Sequence, residues 1–160
     1  MRSGVRVVLL GALMGLGCED KPAKSAAPDA SAVALARADD TCPGATVKGC
    51  FDAALDADRK GQAERAVELL TRVCDAGVAS ACNHLGSFVW QGRGVAADPA
   101  RAYSLYMKAC DGGDAGGCFS AGICHRTGAC AAKSEADATR LLKRACEGGD
   151  KRACANLGGL

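Results

Sequence analysis

The cysteines are the residues in this sequence whose type and spacing could support chemistry, either as disulfides or as metal ligands. The 160-residue chain has 11 cysteines and only 2 histidines. Eight cysteines form four pairs with seven residues between the two members, at residues 42–50, 74–82, 110–118 and 146–154. Zinc sites usually combine a tighter Cys-x2-Cys spacing with nearby histidines, whereas wider pairs suit disulfides. The spacing therefore favours structural cysteines, and we expect no metal and no cofactor.

The cysteine pairs recur at a fixed step along the chain. Cys74 and Cys110 lie 36 residues apart, Cys110 and Cys146 lie 36 apart again, and the earlier step from Cys42 to Cys74 is 32. Three glycines keep the 36-residue step: Gly86, Gly122 and Gly158. A period in the thirties is typical of solenoids built from helical hairpins, because each hairpin buries its apolar face only against its neighbours.

Apolar residues recur in each unit with the period of an α-helix, at positions i, i+3, i+4 and i+7. We expect three such stripes to form the core: Ala66, Leu69, Leu70 and Val73; Ala102, Leu105, Tyr106 and Ala109; and Ala138, Leu141, Leu142 and Ala145. Asp98 before a proline, and Ser134 three residues before Asp137, are typical of helix starts. The predicted helices lie near residues 50–59, 63–74, 80–91, 98–110, 117–126, 134–146 and 153–159.

The N-terminal residues have the pattern of an export signal. Arg2 and Arg6 precede a short apolar stretch over residues 7–16, which a glycine and Cys18 follow, as at a bacterial lipoprotein processing site. The apolar stretch is shorter than the roughly 20 residues of a membrane span. The predicted segments are a signal peptide at 1–17 and a lipidated Cys18 with a flexible tether at 18–41. We expect a periplasm-facing lipoprotein of the cell envelope, with soluble secretion as the alternative.

The charge balance argues against a nucleic-acid partner. The chain has 20 Lys+Arg and 18 Asp+Glu, and removal of Arg2 and Arg6 with the signal leaves a formally neutral protein. The electrostatic attraction to phosphates that dominates nucleic-acid binding is therefore missing.

The repeat pattern predicts a single domain after the tether, at residues 42–160. Its predicted units lie at about 42–81, 82–117 and 118–153, and a terminal helix follows at 154–160.

One unit carries enough matching residues to indicate a family. The matches within residues 81–114 are Leu85-Gly86, Gly92, Gly94-Val95, Asp98, Ala102, Tyr106, Lys108-Ala109 and Gly113. This stretch resembles a Sel-1-like repeat, a relative of the tetratricopeptide repeat, and the Cys-x7-Cys pairs further resemble the Hcp-type cysteine-rich subfamily. The resemblance covers roughly residues 42–160. It implies an all-α fold, a right-handed α-solenoid of stacked helical hairpins.

The resemblance also implies that each Cys-x7-Cys pair is a disulfide. These pairs are Cys42 with Cys50, Cys74 with Cys82, Cys110 with Cys118, and Cys146 with Cys154. Cys124 and Cys130 lie outside the pattern and are expected to pair with each other, which would rigidify their loop. The alternative is a reducible pair, or a group in which Cys124, His125 and Cys130 touch a metal.

The sequence contains no catalytic signature. Ser-x-x-Lys, His-Glu-x-x-His, Gly-x-Ser-x-Gly and the phosphate-binding Gly-x4-Gly-Lys pattern are all missing. We therefore expect a non-enzymatic scaffold for protein–protein interaction. The Hcp-type resemblance implies one alternative, a penicillin-binding protein or weak β-lactamase, although no catalytic residue can be assigned. A second alternative is a redox or cofactor-assembly factor that uses Cys124 and Cys130.

A scaffold of this kind would bind a protein or peptide on its concave face, which the first helix of each unit should supply. The candidate binding residues are Asn83, His84, Ser87, Trp90, Gln91, Ser120, His125 and Arg126. Each could equally be part of a solvated helix face. Trp90 could either pack within its hairpin or anchor a ligand. Self-association through residues 157–160 is a further alternative.

Overall fold

The computed structural model describes residue 42 and residues 46–157, which form helices joined by short loops. In chain order the helices are α1 Val47–Arg59, α2 Ala63–Asp75, α3 Ala79–Gln91, α4 Pro99–Asp111, α5 Ala115–Thr127, α6 Glu135–Glu147 and α7 Lys151–Leu157. No strand occurs among these residues. The proposed signal peptide, Cys18, the tether and the last three residues of the terminal helix lie outside them.

The helices pack as consecutive hairpins in two layers. The hairpins are α1 with α2, α3 with α4, and α5 with α6, and α7 packs on α6. We call α1, α3, α5 and α7 the first-helix layer, because each is the first helix of its unit. The helices α2, α4 and α6 form the second-helix layer. The prediction of an all-α solenoid stapled by disulfides is therefore confirmed.

The core is thin and built mainly from alanine, cysteine and leucine. Leu69, Leu70, Leu141 and Leu142 are almost fully buried, as is every alanine of the three predicted stripes. Leu105 is the exception, since it is half-buried and packs against the core from the edge. The small side chains let neighbouring helices approach closely, so little volume is left for aromatic residues to fill.

Side-chain caps fix the starts of several helices. The Asp98 carboxylate accepts a hydrogen bond of 2.9 Å from the backbone N–H of Arg101 at the start of α4. At the start of α6 the Ser134 hydroxyl accepts from the N–H of Asp137 at 3.2 Å, as the sequence predicts. Each such cap satisfies a backbone donor that the helix itself leaves without a partner.

Disulfides join consecutive units. Cys74 at the end of α2 is bonded to Cys82 in α3, and Cys110 at the end of α4 is bonded to Cys118 in α5. Cys146 at the end of α6 is bonded to Cys154 in α7 in the same way, whereas the bond from Cys42 to Cys50 joins the segment before α1 to that helix. Each closes a small loop and stabilises the fold by roughly 2–3 kcal/mol in the chain-entropy model. Such staples matter in a small solenoid with a thin core.

Glycine permits the closest contact inside a hairpin. A Cβ atom on Gly86 in α3 would lie 2.7 Å from the ring of Tyr106 in α4. The same repeat position in the next unit is Gly122, whose Cβ would lie 3.0 Å from Leu142 in α6. The recurring glycine therefore lets the two helices of a hairpin meet with a side chain of the second helix lying flat on the first.

Ion pairs repeat along the second-helix layer. Lys108 in α4 lies 3.4 Å from Asp75 in α2, and Arg144 in α6 lies 3.0 Å from Asp111 in α4. The two basic residues occupy the same repeat position, as do the two acids. Since all four side chains are exposed, each pair stabilises the stack by no more than about 1 kcal/mol.

Candidate functional site

The candidate site is a pocket beside Trp90, in the last turn of α3. Trp90 is 38% exposed and is the one large hydrophobic side chain exposed within the part of the chain that the structure describes. The pocket has a volume of about 300 Å³ and opens between two units. Its lining residues are Trp90, Tyr106, Phe119, Ser120, Ile123, Cys124, Thr127, Ala129 and Cys130.

Tyr106 supplies the part of the lining that comes from the second-helix layer. Its side chain is only 6% exposed, and it reaches the pocket because Gly86 leaves room for its ring. Burial raises the pKa of Tyr106, while a hydrogen bond with Ser87 acts in the opposite direction. The phenol is therefore neutral at physiological pH, and its ring serves as an apolar wall.

One face of α5 supplies most of the remaining lining. Phe119, Ser120, Ile123 and Thr127 are spaced so that they share that face. The Ser120 hydroxyl donates to the carbonyl of Gly116 at 2.9 Å, and the Thr127 hydroxyl donates to the carbonyl of Ile123 at 2.8 Å. Because both hydroxyls are engaged by their own helix, the lining is chiefly apolar.

The disulfide between Cys124 and Cys130 forms the wall at the loop end of the pocket. It closes the turn after α5, with Cα atoms 5.0 Å apart. His125 holds the same loop: its Nδ1 is 2.9 Å from the carbonyl of Ala132, and its Nε2 is 2.9 Å from the hydroxyl of Tyr103. A carbonyl only accepts, so Nδ1 donates, and in the neutral ring Nε2 accepts from the tyrosine. His125 therefore fastens the loop and does not line the pocket.

The other sequence-predicted residues lie along the first-helix layer. The Ser120 hydroxyl is also 3.3 Å from the amide oxygen of Asn83, which links α3 to α5. His84 is exposed and meets the ring of Phe51 in α1 edge-on, with ring centroids 5.6 Å apart. Gln91 is exposed at the end of α3. Of the eight predicted residues, the pocket brings together Trp90 and Ser120.

Two arginines lie at the contact between α5 and α7, next to the helix that lines the pocket. Arg126 in α5 donates to the amide oxygen of Asn156 in α7 at 2.6 Å. Arg152 in α7 lies over the ring of Phe119, 4.4 Å from its centre, and pairs with Asp150 at 2.6 Å. These hydrogen bonds from Arg152 lower the pKa of Asp150.

Sequence reasoning missed most of the lining. Tyr106 was expected to be core only, and Phe119, Ile123, Thr127 and Ala129 were not singled out. The repeat register offered a signal for three of them, because Phe119, Ile123 and Thr127 lie 36 residues after the predicted binding residues Asn83, Ser87 and Gln91. The loop residue Ala129 carried no signal, since its place depends on the fold of the disulfide loop.

Two further features concern residue 42 and residues 46–157. No group of three or more His, Cys, Asp or Glu side chains could hold a metal ion there. None of the helices in that range is long and apolar enough to cross a membrane.

The fold is similar to that of Sel1-like repeat proteins of known structure, and in this chain it is stapled by disulfides. A Sel1 repeat protein from Oxalobacter formigenes is 22% identical, with a TM-score of 0.65 over 71% of this chain and 89% of that one. Cysteine rich protein B of Helicobacter pylori is 28% identical, with a TM-score of 0.63 over 69% of this chain and 88% of that one. The predicted Sel-1-like and Hcp-type resemblance is confirmed.

A third solved structure shares the fold within a larger protein. It is a protective antigen present in uropathogenic Escherichia coli strains and displays an SLR fold. It is 18% identical, with a TM-score of 0.68, and the match covers 72% of this chain but 26% of that one. Searches against protein-family models and against curated proteins found no match. The similarity of this chain to known proteins therefore rests on solved structures.

Proposed function

We propose that this protein is a non-enzymatic scaffold that binds a protein or peptide on its first-helix layer. The Sel1-like repeat fold supports an interaction role, because stacked hairpins present an extended surface to a partner. The observation that carries the proposal is the pocket beside Trp90. An exposed tryptophan beside an apolar pocket is the kind of residue that dominates binding energy at protein interfaces.

We further propose that the scaffold acts in the bacterial cell envelope, as a lipoprotein anchored through Cys18. The five disulfides support export, since they form and persist in oxidising compartments. The arginines and the apolar stretch before Cys18 support a lipoprotein signal. In this proposal residues 42–160 form one repeat domain behind a tether at 18–41.

Site-specific photo-crosslinking tests the scaffold proposal. A photoreactive phenylalanine derivative replaces Trp90 in one strain and Arg65, an exposed residue on α2, in a matched strain. We expect defined crosslinked species from position 90 and none of the same mass from position 65. Identical products from both positions, or none from position 90 across growth conditions, would contradict a binding role for the pocket.

The anchor is tested by intact mass. Protein extracted from membranes and alkylated under denaturing, non-reducing conditions should carry three acyl chains and no alkyl group. An unlipidated mass would refute the anchor and favour soluble secretion. Two alkylated cysteines mapped to Cys124 and Cys130 would instead support the redox alternative.

A further inference from the structure

We propose that the pocket binds one apolar side chain of an extended, acidic peptide segment, and that Arg126 binds a carboxylate of the same segment. The pocket would take a leucine- to phenylalanine-sized group. The carboxylate would lie on the α7 side of that group, which gives the bound peptide a defined direction. This inference rests on the proposed scaffold function and names the chemistry of its partner.

The size and lining of the pocket select the apolar group. Its volume of about 300 Å³ is at the low end of the roughly 300–1,000 Å³ that sites for whole small molecules occupy. Trp90, Tyr106, Phe119 and Ile123 supply aromatic and aliphatic surface. The hydroxyls of Ser120 and Thr127 already donate to carbonyls of their own helix. A single apolar side chain therefore fits the pocket better than a polar one, which would lose its hydration without compensation.

The distribution of charge selects the acidic flank. The helices α3, α5 and α7 contain no Asp or Glu within their bounds, whereas α1 contains three aspartates. At the contact between α5 and α7, Arg152 pairs with Asp150 and also interacts with the charge of Asp114, whereas the partner of Arg126 is the neutral amide of Asn156. Arg126 is therefore the arginine at this contact whose hydrogen-bond partner is uncharged, and it would attract a carboxylate and repel a basic segment.

Arg126 is placed to make the second contact. It lies 36 residues after Trp90 and so occupies the same repeat position, one unit further along the first-helix layer. Packed helices are separated by about 8–10 Å, and an extended peptide advances about 3.3 Å per residue. The carboxylate should therefore lie two or three residues from the apolar anchor. A guanidinium can bind it through two parallel hydrogen bonds.

Selection from a displayed library of random heptapeptides tests this inference. The target is the mature, disulfide-bonded full chain, beside variants Arg126→Gln and Arg101→Gln. Arg101 is an exposed arginine on α4 in the second-helix layer and provides the matched loss of charge. We expect enriched peptides to carry Leu, Phe, Ile or Met with Asp or Glu two or three residues away. Arg126→Gln should keep the apolar preference and lose the acidic one, and Arg101→Gln should match the parent.

A second pair of variants tests the pocket itself. Trp90→Ala removes one wall, and Ala129→Phe blocks the pocket from an exposed loop position, so that folding is expected to be preserved. Both should reduce binding of an enriched peptide at least tenfold, with unchanged helical circular dichroism for Ala129→Phe. Because Trp90 is the only tryptophan, a saturable change in its fluorescence would report occupancy in the parent.

The outcomes separate the two proposals. If enriched peptides bind the first-helix layer but lack the apolar–acidic pair, or keep it with Arg126→Gln, this inference is wrong and the scaffold function stands. If no peptide is enriched and the crosslinker at position 90 also gives no product, both are wrong. Peptides that bind Ala129→Phe as tightly as the parent would also overturn the inference.

Discussion

The two equivalent glycines at the hairpin contacts should respond differently to the same substitution. In Gly86→Ala the new Cβ would lie 2.7 and 2.8 Å from two ring atoms of Tyr106. In Gly122→Ala it would lie 3.0 and 3.2 Å from the branched end of Leu142. Both alanines would also lie 3.3 Å from a carbonyl of the facing helix, so the difference comes from the side chain they meet.

The magnitude follows from two opposing contributions. Alanine is favoured over glycine inside a helix by about 1 kcal/mol, and this gain is common to both variants. Overpacking of a buried contact costs roughly 1–3 kcal/mol. A flat, buried ring at 2.7 Å must move as a whole, whereas the end of Leu142 needs to shift by only a few tenths of an ångström. We therefore expect Gly86→Ala to be less stable than Gly122→Ala by about 1–2 kcal/mol.

Urea unfolding of the disulfide-intact protein measures this difference. Far-ultraviolet circular dichroism follows the helices, and equal slopes in urea would show that the variants expose the same surface on unfolding. Gly122→Ala should be as stable as the parent or slightly more stable. Equal stabilities, or a larger loss for Gly122→Ala, would refute the argument that the ring of Tyr106 limits the approach of α3 and α4.

Three further substitutions follow from the structure and can be measured by the same unfolding experiment. Replacing Cys124 and Cys130 together by serine should cost about 2.4 kcal/mol, the loop-closure value for a seven-residue loop, and no loss would contradict that model. Gly94→Ala should lower the free energy of unfolding more than Gly77→Ala. Both glycines have positive φ, but only a Cβ on Gly94 would meet backbone atoms, at 2.4 Å. Equal losses for the two variants would show that this contact relaxes. The variant Asp150→Asn should be less stable than the parent by about 0.3–1 kcal/mol above about pH 4. The reason is that the pKa of Asp150 is lowered in the folded protein, so the fold favours its charged carboxylate. That advantage should vanish as the pH falls through the lowered pKa, and a difference independent of pH would contradict it.

The sequence by itself determined the helices and their order. Helix formation depends on neighbours three and four residues apart, so the stripe of Leu141 and Leu142 predicts its helix without knowledge of the fold. The predicted bounds differ from the structure by at most three residues, with α1 starting at Val47 rather than 50. The fixed step of the cysteines likewise indicated stacked units, because a disulfide at one place in each unit requires the same local geometry every time.

The tertiary structure alone decided the site. The pocket is made by α3, α4, α5 and a loop, and no local pattern states which side chains of different helices meet. Tyr106 follows the core period and is buried, yet its ring also lines the pocket because Gly86 brings α3 close. Leu105 follows the same period and is only half-buried, because burial depends on what packs above a side chain as well as on its helical face. His125 is fixed by Tyr103 and Ala132, contacts made only once the loop and two helices are assembled.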